Sequence, residues 1–470
     1  MRITNAMLKN NMMLGLNKNM NQLNKLYDQM NSLKKIQRPS DDPIILGRSL
    51  KLRLNVLETE QYKTNVSEAK SWMEISSNSM GNTHGIMNDI RYQCVQAANG
   101  PLELGDRQKI LETIKQSKKQ LIQESNADYA GRNVFGGYKT DKKVLFDKNT
   151  EMEKAVLFEQ TFTKDSLGTV TYREEDYYRI RLPYGDIDEG GFSATFGDPP
   201  KHLVVDAADV VNSTDPPSVG PPIGSYYHPD SGNPNEPDDL GKTYFLKDTG
   251  ELIINKKVYD AMNAKSIEDI TITYQKTNFK EGDPNPEMFF DVKPPDDPEV
   301  DPPLAPPIYT NSKEPQRLEY EIGIGTKLDI NILGKDVFNP LALRDIDELI
   351  YMLEKYPDIE EDINGKDPSR NHKETINLSK LFSNGIGKMD EALKTVSEQQ
   401  ADLGSRMKRL ELTEKRLGDD EISYTELLSR TEDVELERAY IDFNTQYNVY
   451  QSALQVTAKV VQPTLMDFLR

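Results

Sequence analysis

Few residues in this sequence could bind a metal ion or act as a nucleophile. The four histidines lie far apart, and none stands in the HExxH pattern of a hydrolytic zinc site. They are His84, His202, His228 and His372. Cys94 is the one cysteine, so neither a disulfide within the chain nor a cysteine metal cluster can form. It falls on a predicted helix seam, which favours a small buried apolar residue over a reactive thiol.

Two loop motifs come close to ligand-binding patterns, and each lacks a required residue. The run LGKT ends at Thr243, but a phosphate-binding loop needs a glycine where Glu236 stands, so we interpret it as a turn. The run DIDEGG from Asp186 begins like a calcium loop, but Gly197 occupies the position of the closing glutamate, which allows weak calcium binding at most. The sequence therefore predicts a protein that is not an enzyme and has no cofactor or metal.

Composition argues against several classes of partner. The formal net charge is −19 and the pI about 4.9, which argues against nucleic acid and anionic membranes as main partners. Mean hydropathy is −0.68 and no apolar run reaches 18 residues, so no membrane-spanning segment is predicted. The N-terminal residues lack the uninterrupted apolar stretch of a secretory signal. We expect a protein that is cytosolic or exported without a cleaved signal.

Apolar residues recur every three or four positions near both ends of the chain, which predicts long helices. One helix is expected over 7–36, a second with its seam over 66–97, a third near 110–121, and a further seam over 382–417. A last helix is expected from 436 almost to the C-terminus. Apolar burial along it would not by itself outweigh the cost of ordering its backbone. We therefore expect the first and last helices to form an assembly interface between chains, with an ordinary bundle within one chain as the alternative. The predicted interface residues are Leu16, Met20, Leu23, Tyr27, Met30, Leu33, Leu436, Tyr440, Phe443, Tyr447, Tyr450, Leu454, Val461, Leu465 and Phe468.

The run QRPSDDPIIL, residues 37–46, separates the first two helices. Asp42 is placed to cap a helix that starts at Pro43, and Pro39 disfavours helical geometry just before it. Ser429 and Glu432 have the spacing of a capping box that opens the last helix. We predict a boundary, called the spoke, between assembling and self-folding parts of the chain. Its residues are Pro39, Ser40, Asp41, Asp42, Pro43, Ser429 and Glu432.

The middle of the chain has a different character. Twenty of the 27 prolines lie between Pro183 and Pro315, and short β-rich runs stand among glycine, aspartate and proline. One helix is expected within this region, capped by Asn339 with Pro340 in its first turn. The pattern predicts an inserted β-rich region between terminal helices.

Several segments near the two ends resemble bacterial flagellins and their relatives. IRYQCVQAANG (90–100) is similar to the flagellin motif LAVQAANG, and DYAGRNVFGG (128–137) resembles the segment that follows it. MDEALKTVSEQQADLGSRMKRLE (389–411) resembles the C-terminal rod helix, although Gln399 and Gln400 stand where an arginine is usual and Lys408 replaces an asparagine. SRTEDVELERA (429–439) resembles the element that opens the last helix. The resemblance covers about residues 1–140 and 375–470.

Within this family, the resemblance is to the proteins of the hook–filament junction more than to filament flagellins. MRITNAML at the start, QPTLMDFLR at the end and GTKLDINILGKDVF (325–338) all favour the junction proteins. The resemblance implies a subunit of a ring that joins hook to filament and on which flagellin polymerises. A filament flagellin is the first alternative, and a non-flagellar rod-like surface or secretion-needle protein is the second.

The resemblance also implies an architecture and a set of partners. The fold would be mainly α, a flagellin-like coiled-coil rod of terminal helices with an inserted β-rich, proline-rich outer domain. Residues 1–43 and 429–470 would form an inner coiled-coil layer, 44–137 and 375–428 the rod, and 138–374 the outer domain. The partners would be copies of the chain in a ring or helical tube, the hook-associated protein on the hook side, flagellin, and a cytosolic export chaperone on the C-terminal helix. The protein would be exported through the flagellar type III apparatus and lie outside the cell.

Overall fold

The structure is a computed structural model. It describes residues 5–36, 38, 40, 42–98, 104–147, 155–172, 175–188, 192–196, 203–205, 210–212, 243–246, 249–266, 268–293, 307–312, 315–355 and 378–461. The chain divides into two compact units. The first comprises Met1–Ser67, Glu321–Lys327 and Leu410–Arg470, and the second comprises Glu68–Tyr320 and Leu328–Arg409.

Helices dominate both ends of the chain, and strands dominate its middle. The helices are α1 (Asn5–Ser32), α2 (Pro43–Ala98), α3 (Leu104–Ser125), α4 (Lys256–Lys265), α5 (Pro286–Phe289), α6 (Gly334–Val337), α7 (Pro340–Lys355), α8 (Leu378–Glu432) and α9 (Leu436–Val461). This confirms the predicted fold class, mainly α with an inserted β-containing region. No helix in the described part of the chain is long and apolar enough to cross a membrane.

The seam predicted on α2 is confirmed at every position. All ten residues are buried, and polar Ser76 and Thr83 are as fully enclosed as their apolar neighbours. The ten are Val66, Ala69, Met73, Ser76, Met80, Thr83, Met87, Ile90, Cys94 and Ala97. Burial raises the pKa of the Cys94 thiol to about 12, which agrees with an unreactive buried cysteine.

The seam predicted on α8 is confirmed in large part. Seven of its ten positions are buried, and Ile386, Gln400 and Met407 are half-buried. The buried seven are Phe382, Met389, Leu393, Val396, Leu403, Leu410 and Leu417. In the second unit, Arg91 Nε lies 2.5 Å from Asp390 Oδ1 and Gln400 lies next to Gly81, which places α2 and α8 side by side in antiparallel directions. In the first unit, Lys63 and Glu421 form an ion pair of the same kind.

The strands form two larger sheets and two short hairpins in the described residues. The strands are β1 (Asp128–Tyr129), β2 (Arg132–Asn133), β3 (Val156–Thr163), β4 (Gly168–Tyr172), β5 (Glu175–Arg181), β6 (Ser193–Phe196), β7 (Leu203–Val205), β8 (Val210–Asn212), β9 (Thr243–Leu246), β10 (Glu251–Asn255), β11 (Asp269–Lys276), β12 (Phe290–Val292), β13 (Ile308–Asn311), β14 (Glu319–Gly323) and β15 (Thr326–Asp329). One sheet has the order β12-β13-β3-β11-β6-β7 and the other β4-β5-β10-β9-β8. β14 and β15 pair as a hairpin that turns at Gly325, whose φ of 65° suits glycine.

Aromatic side chains fill the core of the six-stranded sheet. Phe158 on β3 stacks on Tyr274 of the neighbouring β11, with ring centroids 4.9 Å apart. Tyr184 and Phe290 pack against the same phenyl ring. The buried hydroxyls have acceptors, because Tyr184 donates to Pro284 O and Tyr274 donates to Gln160 Oε1.

A buried charge network ties the five-stranded sheet to helices of the same unit. Arg181 on β5 contacts Glu251 of β10, with Nε 3.1 Å from Oε1, and Glu348 of α7, with Nη2 2.7 Å from Oε2. Lys388 of α8 lies 3.1 Å from the same Glu348 oxygen and 2.8 Å from Asp345 Oδ1. Burial alone would raise the pKa of Glu348, but Arg181 and Lys388 outweigh it and hold that pKa below its usual value.

Replacing Arg181 tests whether this network stabilises the second unit. Glu251 and Glu348 are 0% and 2% exposed at the side chain, so Arg181→Leu leaves buried carboxylates without that cation. We expect a loss of about 3–5 kcal/mol, as for other broken buried ion pairs. Urea unfolding followed by the fluorescence of Trp72, the one tryptophan and part of the same unit, measures it.

The matched control for this variant is Arg317→Leu. Arg317 pairs with Asp329 at 3.4 Å in the same unit, but its side chain is 61% exposed. An exposed pair of this kind contributes about 0–1 kcal/mol. Equal shifts in the two variants would contradict a stabilising role for the buried network.

Candidate assembly interface

Helices α1 and α9 pack against each other in antiparallel directions. Tyr450 Oη lies 3.9 Å from Met20 Sδ, and the rings of Tyr27 and Phe443 are 6.4 Å apart between centroids. Gln446 Nε2 lies 3.3 Å from Gln22 Oε1, between those two contacts. The first and last helices are therefore brought together within one chain, and some of the predicted interface residues lie between them.

One stripe of each helix is used in this pairing. Leu16, Leu23 and Met30 on α1 are half-buried, and so are Phe443 and Tyr450 on α9. These positions follow the three- and four-residue spacing that lets two helices interlock along a seam. For these five residues the structure shows packing within the chain.

The other predicted interface residues stay exposed in the single chain. Seven of them have between 41% and 59% of their surface exposed. They are Met20, Tyr27, Leu33, Leu436, Tyr440, Tyr447 and Leu454. Val461 ends α9 but its side chain is not described, and Leu465 and Phe468 lie outside the described residues.

Further apolar residues belong to these exposed faces and were not predicted from the sequence. On α1 they are Met7, Leu8, Met13 and Leu14, and on α9 they are Ile441, Val449 and Val456. Only Ile441 and Val449 lie next to a predicted seam position along the chain, and a single three-four pattern misses all seven. A search for a second stripe on the same helix could have found them. We call the exposed apolar residues of α1 and α9 the terminal face.

The first helix ends earlier than the sequence indicated. It stops at Ser32, whose hydroxyl donates to Asp28 O, and Leu33 follows with a φ of 60°. The helix expected to run to Ile36 and to end because of Pro39 therefore ends seven residues before that proline. A residue in the left-handed conformation directly after the last turn is a common helix stop, usually at glycine or asparagine. Because the residue here is a leucine, the sequence did not indicate that the helix ends at this position.

The segment after α1 pairs with the segment between α8 and α9. Lys35 N donates to Glu432 O at 2.6 Å, and Val434 N donates to Leu33 O at 3.0 Å, as in a two-residue antiparallel ladder. Lys34 Nζ lies 2.6 Å from Asp433 Oδ1. This short ladder fixes where α1 lies along α9.

At the start of α2, the predicted cap is confirmed. Asp42 Oδ1 accepts hydrogen bonds from Ile44 N and Ile45 N, both at 3.0 Å, and the helix begins at Pro43. Ser40 is exposed, whereas Pro39 and Asp41 lie outside the described residues.

The predicted capping box at Ser429 and Glu432 is wrong. Both residues belong to the last turn of α8, and α9 begins only at Leu436. The first hydrogen bond of α9 runs from Ala439 N to Glu435 O. Ser429 donates instead to Asp433 Oδ2 at 2.6 Å. The spacing of a capping box also occurs inside a helix, and here the long helical pattern continues through it.

Glu432 has a different role, as the buried anion of the spoke. Its carboxylate accepts hydrogen bonds from Arg53 Nε at 2.6 Å, from Arg53 Nη2 at 2.7 Å and from the Ser49 hydroxyl. Lys34 Nζ lies 3.1 Å away. These bonds, led by that from Arg53, lower the pKa of Glu432 to about 2. One side chain thus joins the start of α2, the end of α8 and the segment after α1.

The candidate ligand motifs find no support in the described residues. Asp186 pairs with Lys280, and Asp188 Oδ1 accepts from Thr277 at 2.8 Å, so the start of DIDEGG is engaged by its neighbours. No group of three or more histidine, cysteine or acidic residues in the described ranges could hold a metal ion. His202, His228, His372 and Gly197 lie outside those ranges, as does all of LGKT except Thr243.

Two family models match the ends of the chain. Residues 3–140 match the bacterial flagellin N-terminal helical region, and residues 386–469 match the bacterial flagellin C-terminal helical region. The spoke and the described parts of the terminal face lie inside these two matches.

Curated proteins show the same similarity. The chain is 28% identical over 151 residues to flagellar hook-associated protein 3 of Salmonella typhimurium, covering 32% of this chain and 47% of that protein. It is 30% identical over 183 residues to the flagellar filament 30.7 kDa core protein of Treponema maltophilum, covering 37% of this chain and 62% of that one. The chain thus spans about half the length of the curated relatives it matches.

A solved structure of flagellar hook-associated protein 3 from Legionella pneumophila is also similar. It shares 12% sequence identity and a TM-score of 0.33 over 81% of this chain and 97% of that one.

Neutralising Glu432 tests the spoke. Because its pKa is depressed in the folded chain, its stabilising contribution is complete above the unfolded value near 4.5 and is lost as pH falls toward about 2. Glu432→Gln should raise the rate of hydrogen exchange at Lys35 and Val434 at pH 6, equivalent to about 1–3 kcal/mol of local stability.

The difference between wild type and variant should shrink as pH falls below 4.5 and vanish near pH 2. Asp433 also has a lowered pKa, through Lys34 and Ser429, so each pH must be compared with the wild type. Glu435→Gln, an exposed neighbour, is the matched control. A difference that is independent of pH would contradict the role given to the Glu432 carboxylate.

Proposed function

We propose that this chain, whose two ends match the models of the N- and C-terminal helical regions of bacterial flagellins, is a structural subunit that joins the flagellar hook to its filament. The observation that carries the proposal is the terminal face. Paired α1 and α9 leave a second set of apolar residues exposed along both helices, within the matched flagellin regions. Similarity to flagellar hook-associated protein 3 of Salmonella typhimurium supports the junction role.

Copies of the same chain are the occupants that this face fits best. Large contiguous apolar surfaces on soluble proteins usually mark interaction sites. A contact between different patches on successive copies does not close on itself at two subunits, and it produces a ring or a helical tube. The proposed role is therefore structural.

The remaining partners follow from position in such a structure. The ring would stand on the hook-associated protein of the hook side and offer its other rim to flagellin. A cytosolic export chaperone would cover α9 and keep its apolar face from aggregating before export. The subunit would leave the cell through the flagellar type III apparatus and work at the extracellular hook–filament junction. The net charge of −19 disfavours nucleic acid and anionic membrane as partners.

The predicted layers belong to this proposal. Residues 1–43 and 429–470 would form the inner coiled-coil layer around a channel. Residues 44–137 and 375–428 would form the rod around it, and 138–374 the outer β-rich domain. The Glu432 site lies at the proposed border of the first two layers, which supports a spoke at that position.

A filament flagellin is the second candidate. It is favoured by the 30% identity to the flagellar filament core protein of Treponema maltophilum, which extends over 183 residues. Both candidates require self-assembly through the terminal face, and they differ in where the subunit lies.

Deleting the gene separates the two candidates. Loss of a junction subunit should leave hooks in place while cells release flagellin monomers into the medium, because the filament has nothing to grow on. If the deleted gene encodes the filament subunit, that flagellin should instead be missing from the medium. Immunoblots of culture supernatant and electron microscopy of hooks measure both outcomes, and unchanged swimming would contradict either flagellar role.

Changing one exposed residue of the terminal face tests self-assembly. Tyr440 is 59% exposed on α9, so Tyr440→Ser should leave helix content unchanged by circular dichroism while reducing assembly in sedimentation and electron microscopy. Asn448→Ser changes an exposed polar residue of the same helix and is the matched control. Normal assembly of Tyr440→Ser would count against the terminal face as an interface.

A further inference from the structure

A second apolar stripe lies on the first part of α2, on the side turned away from α8. Leu50, Leu54 and Leu57 are 54%, 55% and 61% exposed. At 3.6 residues per turn they fall within about 60° of one another around the helix. Thr59 is buried on the opposite side, and Ser49, about 100° around the helix from Leu50, is buried and bonds to Glu432. We call the three leucines the α2 stripe.

The outward side of α8 carries a smaller apolar patch in the same compact unit. Leu412 and Ile422 are 62% and 69% exposed, and the exposed Asp419 lies between them on nearly the same side of the helix. Leu410 and Leu417, on the other side, are buried. We call Leu412, Asp419 and Ile422 the α8 patch.

The α2 stripe and the α8 patch cannot meet within one chain. In the first unit α2 and α8 lie side by side, joined by the ion pairs of Lys63 with Glu421 and Arg53 with Glu432. The patch is on the side of α8 turned away from α2, and the pairs 53–432 and 63–421 set both its apolar residues beyond the stripe along the helices, so the two surfaces do not meet. Each is therefore open to another molecule.

Charge favours contact between the stripe of one copy and the patch of another. Residues 43–64 contain four basic and two acidic residues, whereas residues 411–426 contain two basic and six acidic ones. Lys51 is exposed beside the stripe, and Asp419 is exposed within the patch. A contact between them brings opposite charges together, whereas stripe against stripe or patch against patch does not.

Size also favours a second copy as the occupant. A stable interface buries about 800 Å² on each partner, and three leucines supply much less. The stripe cannot hold an independent protein by itself. It can add to an assembly in which the same two molecules also touch elsewhere, because linked weak contacts act together.

We propose that the α2 stripe of one copy docks on the α8 patch of the next copy, as a lateral contact that repeats around the assembly. This inference rests on the proposed function, since it needs a chain that assembles with itself. The two surfaces differ, so the contact is heterologous and leaves one free stripe and one free patch at the ends of any open row. The leucines of α2 and the residues of the α8 patch then determine which surface of the neighbouring copy is bound and in which direction the row of copies runs.

Cysteine cross-linking between full-length chains tests the contact. One chain carries Leu54→Cys, the other carries Ile422→Cys, and the two are mixed under assembly conditions and mildly oxidised. Cys94 is buried and the pKa of its thiol is raised to about 12, so it stays unreactive. We expect 54–422 dimers in severalfold excess over 54–54 and 422–422 dimers.

Two further mixtures make the outcome decisive. Glu60→Cys, exposed on α2 but off the stripe, replaces Leu54→Cys in the control and should give few dimers with Ile422→Cys. Tyr27→Cys mixed with Tyr440→Cys reports contacts of the terminal face. Terminal-face dimers without 54–422 dimers would overturn the α2–α8 contact and leave the proposed function standing. A chain that stays monomeric and cross-links nowhere would overturn both, and an excess of 54–54 dimers would replace the heterologous contact with a symmetric one.

Discussion

The carboxylate of Glu432 is the point on which the arrangement of the first unit depends. It is almost fully buried, and its partners come from two other parts of the chain: Arg53 and Ser49 on α2, and Lys34 after α1. A buried anion is tolerated only where cations and hydroxyl donors surround it, so these groups must stay together for the unit to fold. The backbone ladder at Lys35 and Val434 then fixes how far α1 and α9 overlap. The register of the terminal helices thus follows from one charge rather than from their apolar seam alone.

That register decides which apolar residues are left for other molecules. A pair of helices can bury one stripe of each, and α1 and α9 use the stripe that contains Leu23 and Phe443. Both helices carry more apolar residues than this stripe holds, so the remainder stays exposed. Leu33 and Leu436, close to the ladder, are exposed for the same reason. The exposed apolar surface therefore arises because each helix uses one apolar stripe to pack against the other and carries a second apolar face.

Sequence periodicity predicted the long helices and every buried position of the α2 seam from 66 to 97, because a heptad repeat is a local pattern that can be recognised without knowing the partner helix. It also found the caps at Asp42 and Asn339, where a side chain bonds to its own helix; Leu341 N donates to Asn339 Oδ1 at 2.9 Å. It failed at Glu432, whose partners lie more than 370 residues away along the chain. It failed at Ser32 as well, since the helix ends by pairing with a distant segment and leaves no glycine or proline as a signal. For the assembly site, the pattern named the right helices but did not separate the stripe used inside the chain from the one left outside.

The two charge clusters serve the molecule in different ways, and their burial shows why. Arg181 stands among carboxylates that are nearly inaccessible, so solvent and salt reach that network poorly and it holds the sheet on α7 and α8 across a wide range of conditions. At Glu432 the anion is buried, but Arg53 and Lys34 are about half exposed. Its cations can therefore exchange protein partners for water at modest cost, while the anion cannot. Such a site fixes the register of the helices once it has formed, although its cations stay in contact with water. It therefore suits the boundary between helices that are packed within the chain and helices that keep a second face exposed for another copy.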